Sequence, residues 1–375
     1  MTVREKYNPA LPGRIRQNER IENYKGIDIL VKPIPEGGKP GDMDPRLFKA
    51  MWFMPFIAPF MPKPDPDQTA EEKMVPLRKM FREYSGTYMA DKDIAYTTVH
   101  ITSTDDYQLP IRIYKREFSG SDLPVLIYFH GGGFFGGSMD VVEQLCKMIV
   151  QKTDCVVLNV GYRLCPEHHY PQPFEDAWAA VLWARLNARA LGGDPEKLSV
   201  GGDSAGGTLA ADVAMRSRDQ GSDRIKLQVL LYPSVNLSRR ETRFYHGVDP
   251  DKFRRSLRCS MAIGFLTSMM NNLLDDPGLI DDIYLQGYTT LDDPCISPLL
   301  GDFKNLPPTL LAFGEHDILA FEDFAYARAA TNAGNKIKTI VYEGLSHGFA
   351  DQIGALPQAE DCAEEIPMAI QKILK

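Results

Sequence analysis

Short, wholly apolar runs alternate with helix-like periods over the chain from about residue 97 onwards. The runs lack the polar alternation of a half-exposed strand, which is typical of strands covered on both faces. They predict strands at 125–129, 155–160, 198–200, 227–231, 309–313 and 339–342. Ahead of them, residues 97–104 and 109–116 predict a hairpin around Asp105 and Asp106.

Between these runs, apolar residues recur three and four positions apart, as on one face of a helix. The helices are predicted at about 139–152, 174–186, 205–219, 321–333 and 358–374. Repeated alternation of strand and helix predicts a mostly parallel sheet with helices on both faces. Ligands of such sheets bind beyond the carboxyl ends of the strands.

Two segments interrupt the alternation. Residues 1–96 are rich in Pro and Met, and because proline breaks helices and strands we expect loops and short helices there. Within them, the apolar strip 51–61 predicts either a packing strip or a mobile wall of a pocket. Residues 234–308 form a long connection between two strands, interpreted as a helical excursion above the sheet.

The composition and charge of the chain disfavour several classes of partner, cofactor and location. The net charge is −8, with no basic run, which disfavours nucleic acid and anionic membranes as partners. The six cysteines form no C-x-x-C pair, and we find neither a zinc-like Cys/His spacing nor a secretory signal. We therefore expect a cytoplasmic protein without a metal, and no segment that spans a membrane.

The sharpest motif is G-x-S-x-G at residues 202–206, centred on Ser204. An apolar strand precedes it and a helical period follows, which is the setting of a nucleophile elbow. Small residues on both sides allow the tight turn that exposes the serine. The alternative is a glycine-rich turn in which the serine is a bystander.

A second motif, HGGGF at residues 130–134, directly follows the strand at 125–129. Glycines free backbone N–H groups to stabilise an oxyanion. We expect Gly132, Gly133 and Ala205 to donate, with Gly131 shaping the loop and His130 holding it. The glycines also match a dinucleotide-binding pattern, but the next strand does not end on the acidic residue that this pattern requires.

The acid and the base should follow the serine in the chain. His347 comes just after the strand at 339–342, whereas His246 lies in the excursion. Asp317 follows the strand at 309–313 and would orient His347. Glu315 and Asp323 remain alternative acids, and His316 is interpreted as an exposed neighbour of the acid.

The chain resembles the hormone-sensitive-lipase-like group of α/β-hydrolases, the bacterial type IV carboxylesterases. The resemblance rests on motifs that share the family's order: HGGGF at 130–134, YRLCPE at 162–167, GDSAGG at 202–207, SPL at 297–299, GEHDIL at 314–319 and HGF at 347–349. The family's usual acid motif, D-P-L-R-D-E, reads DILAFE here. The resemblance implies a Ser204–Asp317–His347 triad, oxyanion donors at Gly132, Gly133 and Ala205, and a cap formed by residues 1–96 on a catalytic domain of residues 97–375.

The function expected is hydrolysis of small, short-acyl carboxylic esters through an acyl-enzyme, without a cofactor. Phe134 and Phe135, next to the oxyanion glycines, are expected to crowd the acyl site, and Trp52 and Asp203 complete the predicted substrate-binding set. A ligand-binding receptor without turnover is the alternative from another class, and amide, thioester or sugar-acetyl substrates fit the same triad. The resemblance also suggests a homodimer built through the last strand and helix.

Overall fold

A twisted sheet of ten strands organises the molecule, in the order β1-β2-β10-β9-β8-β7-β5-β6-β4-β3. The computed structural model describes residues 7–39, 41–52, 96–117, 120–221, 225–238 and 281–374, and the isolated positions 69, 72, 74, 75, 78, 79, 94 and 264. The strands are β1 Arg20–Tyr24, β2 Ile27–Lys32, β3 Tyr96–Thr102, β4 Gln108–Tyr114, β5 Leu123–Phe129, β6 Val156–Val160, β7 Gly193–Asp203, β8 Ile225–Leu231, β9 Thr309–Gly314 and β10 Ile337–Tyr342.

The centre of the sheet is parallel and covered on both faces. Strands β10, β9, β8, β7, β5 and β6 pair in parallel, and every residue of β5 is buried. The helices are α1 Leu11–Gln17, α2 Pro45–Met51, α3 Glu143–Lys152, α4 Gln172–Asn187, α5 Ala205–Asp219, α6 Ala320–Asn332 and α7 Pro357–Leu374. α1 and α3 pack with α7 on one face, and α4 packs with α5 on the other. The predicted α/β fold is confirmed, and each predicted strand and helix matches an observed one within a few residues.

The N-terminal region departs from the prediction of loops and short helices. β1 and β2 form a hairpin, and Lys25 and Gly26 both have positive φ, 49° and 89°, as a two-residue hairpin turn requires. β2 then pairs in parallel with β10, with Ile29 opposite Thr339. Residues 20–32 therefore extend the main sheet and are not part of a cap. Most of residues 53–95, including positions 53–61 of the apolar strip, lie outside the described residues, as do most of those between 239 and 280.

A buried ionic cluster ties this hairpin to the last helix. Lys32 is completely buried at the end of β2, and its Nζ lies 2.6 Å from Glu19 Oε2, 2.7 Å from Glu365 Oε1 and 3.2 Å from Asp361 Oδ2. Burial by itself would lower the pKa of Lys32, but Asp361 and Glu365 raise it above the ordinary lysine value. The ammonium therefore stays charged and compensates carboxylates that are themselves buried.

Replacing Lys32 with Met is expected to destabilise the fold by about 3–5 kcal/mol, because buried carboxylates would lose their counter-charge. Urea unfolding followed by circular dichroism measures this loss. Lys338→Met is the matched control: Lys338 also pairs with Glu365, at 2.5 Å, but its side chain is 46 % exposed, so about 0–1 kcal/mol is expected. Equal losses in the two variants would contradict a special role for the buried lysine.

The hairpin also covers the edge of β10, the last strand, through which a dimer was expected to form. Because β2 occupies the outer edge of β10, that strand cannot pair with a second copy of the chain. A homodimer therefore cannot form by continuing the sheet at β10, and the expected dimer itself stays a prediction. Among the helices of the described residues, none combines the length and the apolar composition of a membrane span.

Candidate active site

Ser204 stands on a strained turn between β7 and α5. Its φ and ψ are 52° and −121°, a conformation that residues with a side chain rarely adopt. The flanking glycines permit the turn: a Cβ on Gly202 would lie 2.2 Å from the Gly206 carbonyl oxygen, and one on Gly206 would lie 2.0 Å from that of Phe129. The G-x-S-x-G pattern is therefore a steric requirement of presenting the hydroxyl beyond the carboxyl end of β7.

The structure brings Ser204, His347 and Asp317 into one hydrogen-bonded chain. His347 Nε2 lies 2.9 Å from Ser204 Oγ, and its Nδ1 lies 2.9 and 3.0 Å from the two carboxylate oxygens of Asp317. Asp317 follows β9 and His347 follows β10, so neighbouring strands deliver both. Since a carboxylate only accepts, Nδ1 carries the proton and Nε2 is left to accept from the serine hydroxyl.

The surroundings make this imidazole more basic. Burial alone would lower the pKa of His347, but the charge and hydrogen bond of Asp317 outweigh it and hold the pKa above the ordinary histidine value of 6.5. The edge of the Tyr232 ring packs against His347, with the ring centroids 5.0 Å apart. The ring is thus held in place by an anion on one side and an aromatic contact on another.

The HGGGF loop passes directly beside the elbow. Gly132 and Gly133 have φ of 125° and 62°, so only glycine fits without strain, and a Cβ on Gly132 would lie 2.2 Å from the Gly136 oxygen. Gly131 donates its N–H to Asp203 Oδ2 at 3.0 Å. Within the described part of the chain, the N–H groups of Gly132 and Gly133 have no acceptor, which suits them to a developing oxyanion. Ala205 opens α5, where amide groups also lack intrahelical acceptors.

His130 stabilises this loop through contacts with Gly131 and Tyr162. Its Nδ1 lies 2.8 Å from the Gly131 carbonyl oxygen, and its ring stacks on Tyr162 at a centroid distance of 4.4 Å. Tyr162 also donates its hydroxyl to the His130 carbonyl at 2.7 Å. Complete burial lowers the pKa of His130 to about 4, so the ring is neutral near pH 7. These contacts agree with the holding role expected of His130.

The predicted substrate-binding residues fall into different places. Phe134 is buried and stacks on Tyr284 at 4.4 Å, while the Phe135 ring lies over Gly133. Asp203 does not line a substrate pocket: it is buried, accepts from Tyr128 Oη at 3.1 Å as well as from Gly131, and has its pKa raised by burial. That assignment is corrected, because the side chain points inward from the elbow and anchors the oxyanion loop.

Trp52, at the end of α2, is 52 % exposed. It lines a cleft with Ile34, Met43 and Phe48, and this cleft does not include Ser204, Asp317 or His347. A buried packing anchor would expose far less of its ring, so this position does not fit that interpretation of the apolar strip.

The alternative acids have other partners. Glu315 accepts from the Gly344 N–H at 2.9 Å, and burial raises its pKa to about 7. Asp323 is fully buried in the first turn of α6, where burial holds its pKa well above the ordinary value. His316 was expected to be exposed, but it is buried, with Nε2 3.1 Å from the Asp42 carbonyl oxygen. The N-terminal region covers it, which its local sequence does not reveal.

Glu322 is a site neighbour that the sequence reasoning did not single out. Its buried carboxylate accepts from the backbone N–H groups of Val235 at 2.7 Å and Asn236 at 3.3 Å, and burial raises its pKa to about 7. It therefore holds the loop that leaves β8 beside the elbow. In the sequence, the feature that indicates Glu322 is its position as the final acidic residue of DILAFE, five residues after Asp317.

The described residues contain no group of three or more His, Cys, Asp or Glu side chains able to hold a metal ion. After β6, the dinucleotide pattern would need an acidic side chain, but the chain continues through Gly161. The arrangement suits nucleophilic acyl transfer: a nucleophile, a base, an orienting acid and backbone donors converge at one edge of the sheet.

Comparison with known proteins gives concordant matches. A family model described as an alpha/beta hydrolase fold matches residues 126–351. Carboxylesterase NlhH of Mycobacterium tuberculosis is 30 % identical over 266 residues, 71 % of this chain and 79 % of that protein. Ethyl acetate hydrolase of Pseudomonas putida is 31 % identical over 309 residues, 79 % of this chain and 89 % of that protein.

Among solved structures, EstE1, a thermophilic and thermostable carboxylesterase cloned from a metagenomic library, superposes with a TM-score of 0.66 at 28 % identity. The match covers 83 % of this chain and all of EstE1. The relatives found by sequence and the solved structure found by superposition are thus all named as enzymes that hydrolyse carboxylic esters.

Proposed function

The chain belongs to the α/β-hydrolase fold family, and from this membership we propose that it is a serine carboxylesterase in which Ser204, His347 and Asp317 carry the reaction. The observation that carries the proposal is the unbroken hydrogen-bonded chain from Ser204 Oγ through the imidazole to Asp317. The site supports this function more strongly than the fold does, because the fold alone also serves proteins of unrelated activity.

The reaction begins when His347 Nε2 accepts the proton of Ser204 as Oγ attacks the ester carbonyl carbon. The carbonyl oxygen becomes an oxyanion and accepts from the N–H groups of Gly132, Gly133 and Ala205. Asp317 stabilises the imidazolium formed on His347, which then protonates the departing alkoxide. Water, deprotonated by His347, attacks the acyl-enzyme, and collapse of the second tetrahedral intermediate releases the acid and restores Ser204.

Two experiments test this proposal. A fluorophosphonate probe should label wild-type enzyme at Ser204, as peptide mass spectrometry would show, and acetate and butyrate esters should be hydrolysed at measurable rates. A ligand-binding protein without turnover would bind esters and release them unchanged. Absence of both labelling and hydrolysis in folded protein would refute the proposal.

We expect a preference for short acyl chains, no longer than hexanoate. Phe134, whose ring stacks on Tyr284, and Phe135, whose ring lies against Gly133, are next to the oxyanion donors, and we propose that they restrict the space there. A methylene that does not fit costs about 1–3 kcal/mol in discrimination, so kcat/KM should fall at least tenfold once the limit is passed. A 4-nitrophenyl ester series from acetate to dodecanoate measures this. Higher kcat/KM on dodecanoate than on butyrate would contradict it.

We also place the enzyme in the cytoplasm. Cys146 and Cys362 are completely buried thiols whose pKa values are raised by burial, so they remain protonated and act as small apolar side chains. Free thiols of this kind are typical of proteins in a reducing compartment, where disulfides rarely form. Fractionation of cells that produce the full chain, followed by immunoblotting, tests this location.

A further inference from the structure

Arg78 belongs to the N-terminal region, outside the residues matched by the family model, yet its side chain reaches the oxyanion loop. Nε donates to the Phe135 carbonyl oxygen at 2.7 Å, and Nη2 donates to the Cys165 carbonyl oxygen. Both terminal nitrogens also pair with the Glu167 carboxylate, with Nη1 2.6 Å from Oε1. One guanidinium thus joins the N-terminal region, the end of the loop and the YRLCPE segment.

The loop needs such a restraint at this end. Three consecutive residues, Gly132, Gly133 and Phe134, have positive φ of 125°, 62° and 66°, and for phenylalanine this conformation is strained. Asp203 fixes the start of the loop through the Gly131 N–H. At the other end, the loop is held by the Cys165 N–H, which donates to the Phe134 carbonyl at 3.0 Å, and by the Arg78 bond to Phe135. A backbone in a sparsely populated conformation persists only when its surroundings impose it.

The chemistry of arginine suits this place. The carbonyl oxygens of Phe135 and Cys165 point to the same guanidinium, which supplies several donors in a fixed plane. Lysine would offer one compact ammonium and could not reproduce this fork. The hydrogen bond from Arg78 lowers the pKa of Glu167 to about 2, so the carboxylate remains ionised. Since Glu167 is more than half exposed, water weakens that ion pair, and the bonds to the two backbone carbonyls carry the restraint.

We propose that Arg78 is a positioning residue for ester hydrolysis: its guanidinium holds the oxyanion loop so that the Gly132 and Gly133 N–H groups converge on the oxyanion. The N-terminal region thereby contributes to transition-state stabilisation without touching substrate. This inference rests on the proposed esterase function and extends it to a residue far from the triad in sequence.

The test compares Arg78→Lys and Arg78→Met with the wild-type enzyme. Loss of one oxyanion donor costs about 100- to 1,000-fold in kcat, so misplacing the donors is expected to lower kcat by about 10- to 100-fold. KM for an acetate ester should change less than about threefold. Affinity for a trifluoromethyl ketone, which forms a tetrahedral adduct with the serine, should fall in parallel with kcat/KM. Added ethylguanidinium should restore part of the kcat of Arg78→Gly.

Arg46→Met is the matched control. Arg46 forms a two-pronged pair with Glu36 in the same N-terminal region, but its bonds do not reach the oxyanion loop. Its kcat and ketone affinity should stay within about twofold of wild type. If Arg78→Met does not fold, Arg78→Lys and Glu167→Gln carry the test, the latter with a loss of a few-fold in kcat.

Three results would overturn the role of Arg78: a rise in KM with kcat unchanged, a lower melting temperature with unchanged kinetics, or a kcat loss without loss of ketone affinity. Wild-type protein that neither hydrolyses esters nor reacts with a fluorophosphonate would instead refute the esterase function. If the wild-type enzyme is active and the Arg78 variants keep its kcat and ketone affinity, only the positioning role of Arg78 is refuted.

Discussion

Ser204→Ala is expected to lower kcat for acetate and butyrate esters by roughly 10⁶-fold while leaving the fold intact. The substitution removes the oxygen that forms the acyl-enzyme, and the elbow keeps its geometry because Gly202 and Gly206 are unchanged. Hydrolysis of a chromogenic ester, with circular dichroism to verify folding, measures the effect.

Loss of labelling by a fluorophosphonate should accompany the loss of turnover. Ser346→Ala provides the control, because Ser346 precedes His347 in the same loop and takes no part in the proposed reaction. A folded Ser204→Ala enzyme that keeps more than about a tenth of the wild-type activity would assign the nucleophile to another residue.

Asp317→Asn is expected to lower kcat by about 10³- to 10⁴-fold. The amide favours the tautomer of His347 in which Nε2 carries the proton, and that nitrogen can then no longer accept from Ser204. The negative charge that raises the pKa of His347 is lost as well, so the residual activity should rise with pH at a lower apparent pKa than in the wild-type enzyme. A pH profile of kcat/KM for both enzymes measures the two effects.

Glu315→Gln and Asp323→Asn are isosteric controls for this assignment. Glu315 bonds the Gly344 N–H rather than the imidazole, and Asp323 lies in the first turn of α6. Both substitutions should cost less than about tenfold in kcat and leave the apparent pKa in place. A larger loss in Glu315→Gln than in Asp317→Asn would move the acid to Glu315.

The central sheet and the residues at its carboxyl edge could be anticipated because their signals are local. Ser204, Asp317 and His347 each follow an apolar run that reads as a strand, so the order of the chain suffices to bring them to one edge. The same holds for Gly132 and Gly133 of the HGGGF loop, because glycine is the residue that adopts their positive φ values without strain.

The N-terminal hairpin could not be anticipated in this way. Its inner strand ends on Lys32, a charged residue expected to be exposed, and its burial becomes favourable when Asp361 and Glu365 of the distant last helix join Glu19 around the ammonium. The turn at Lys25 and Gly26 and the alternation that follows it were weak signals of a hairpin. Asp203 was misjudged for a related reason, since its hydrogen bonds to Tyr128 and Gly131 depend on the pairing of β5 with β7.

Because β2 pairs with β10, the N-terminal hairpin cannot complete its folding until nearly the whole chain has been synthesised. The hairpin leaves the ribosome early, but Ile29 must wait for Thr339 before β2 can join the sheet. At about 5–20 residues per second, that delay is on the order of half a minute. Throughout it, β2 offers an unpaired edge, and Lys32 awaits carboxylates on a helix that has not yet been translated. We therefore expect nascent chains to depend on chaperones that shield the first strands until the last helix emerges.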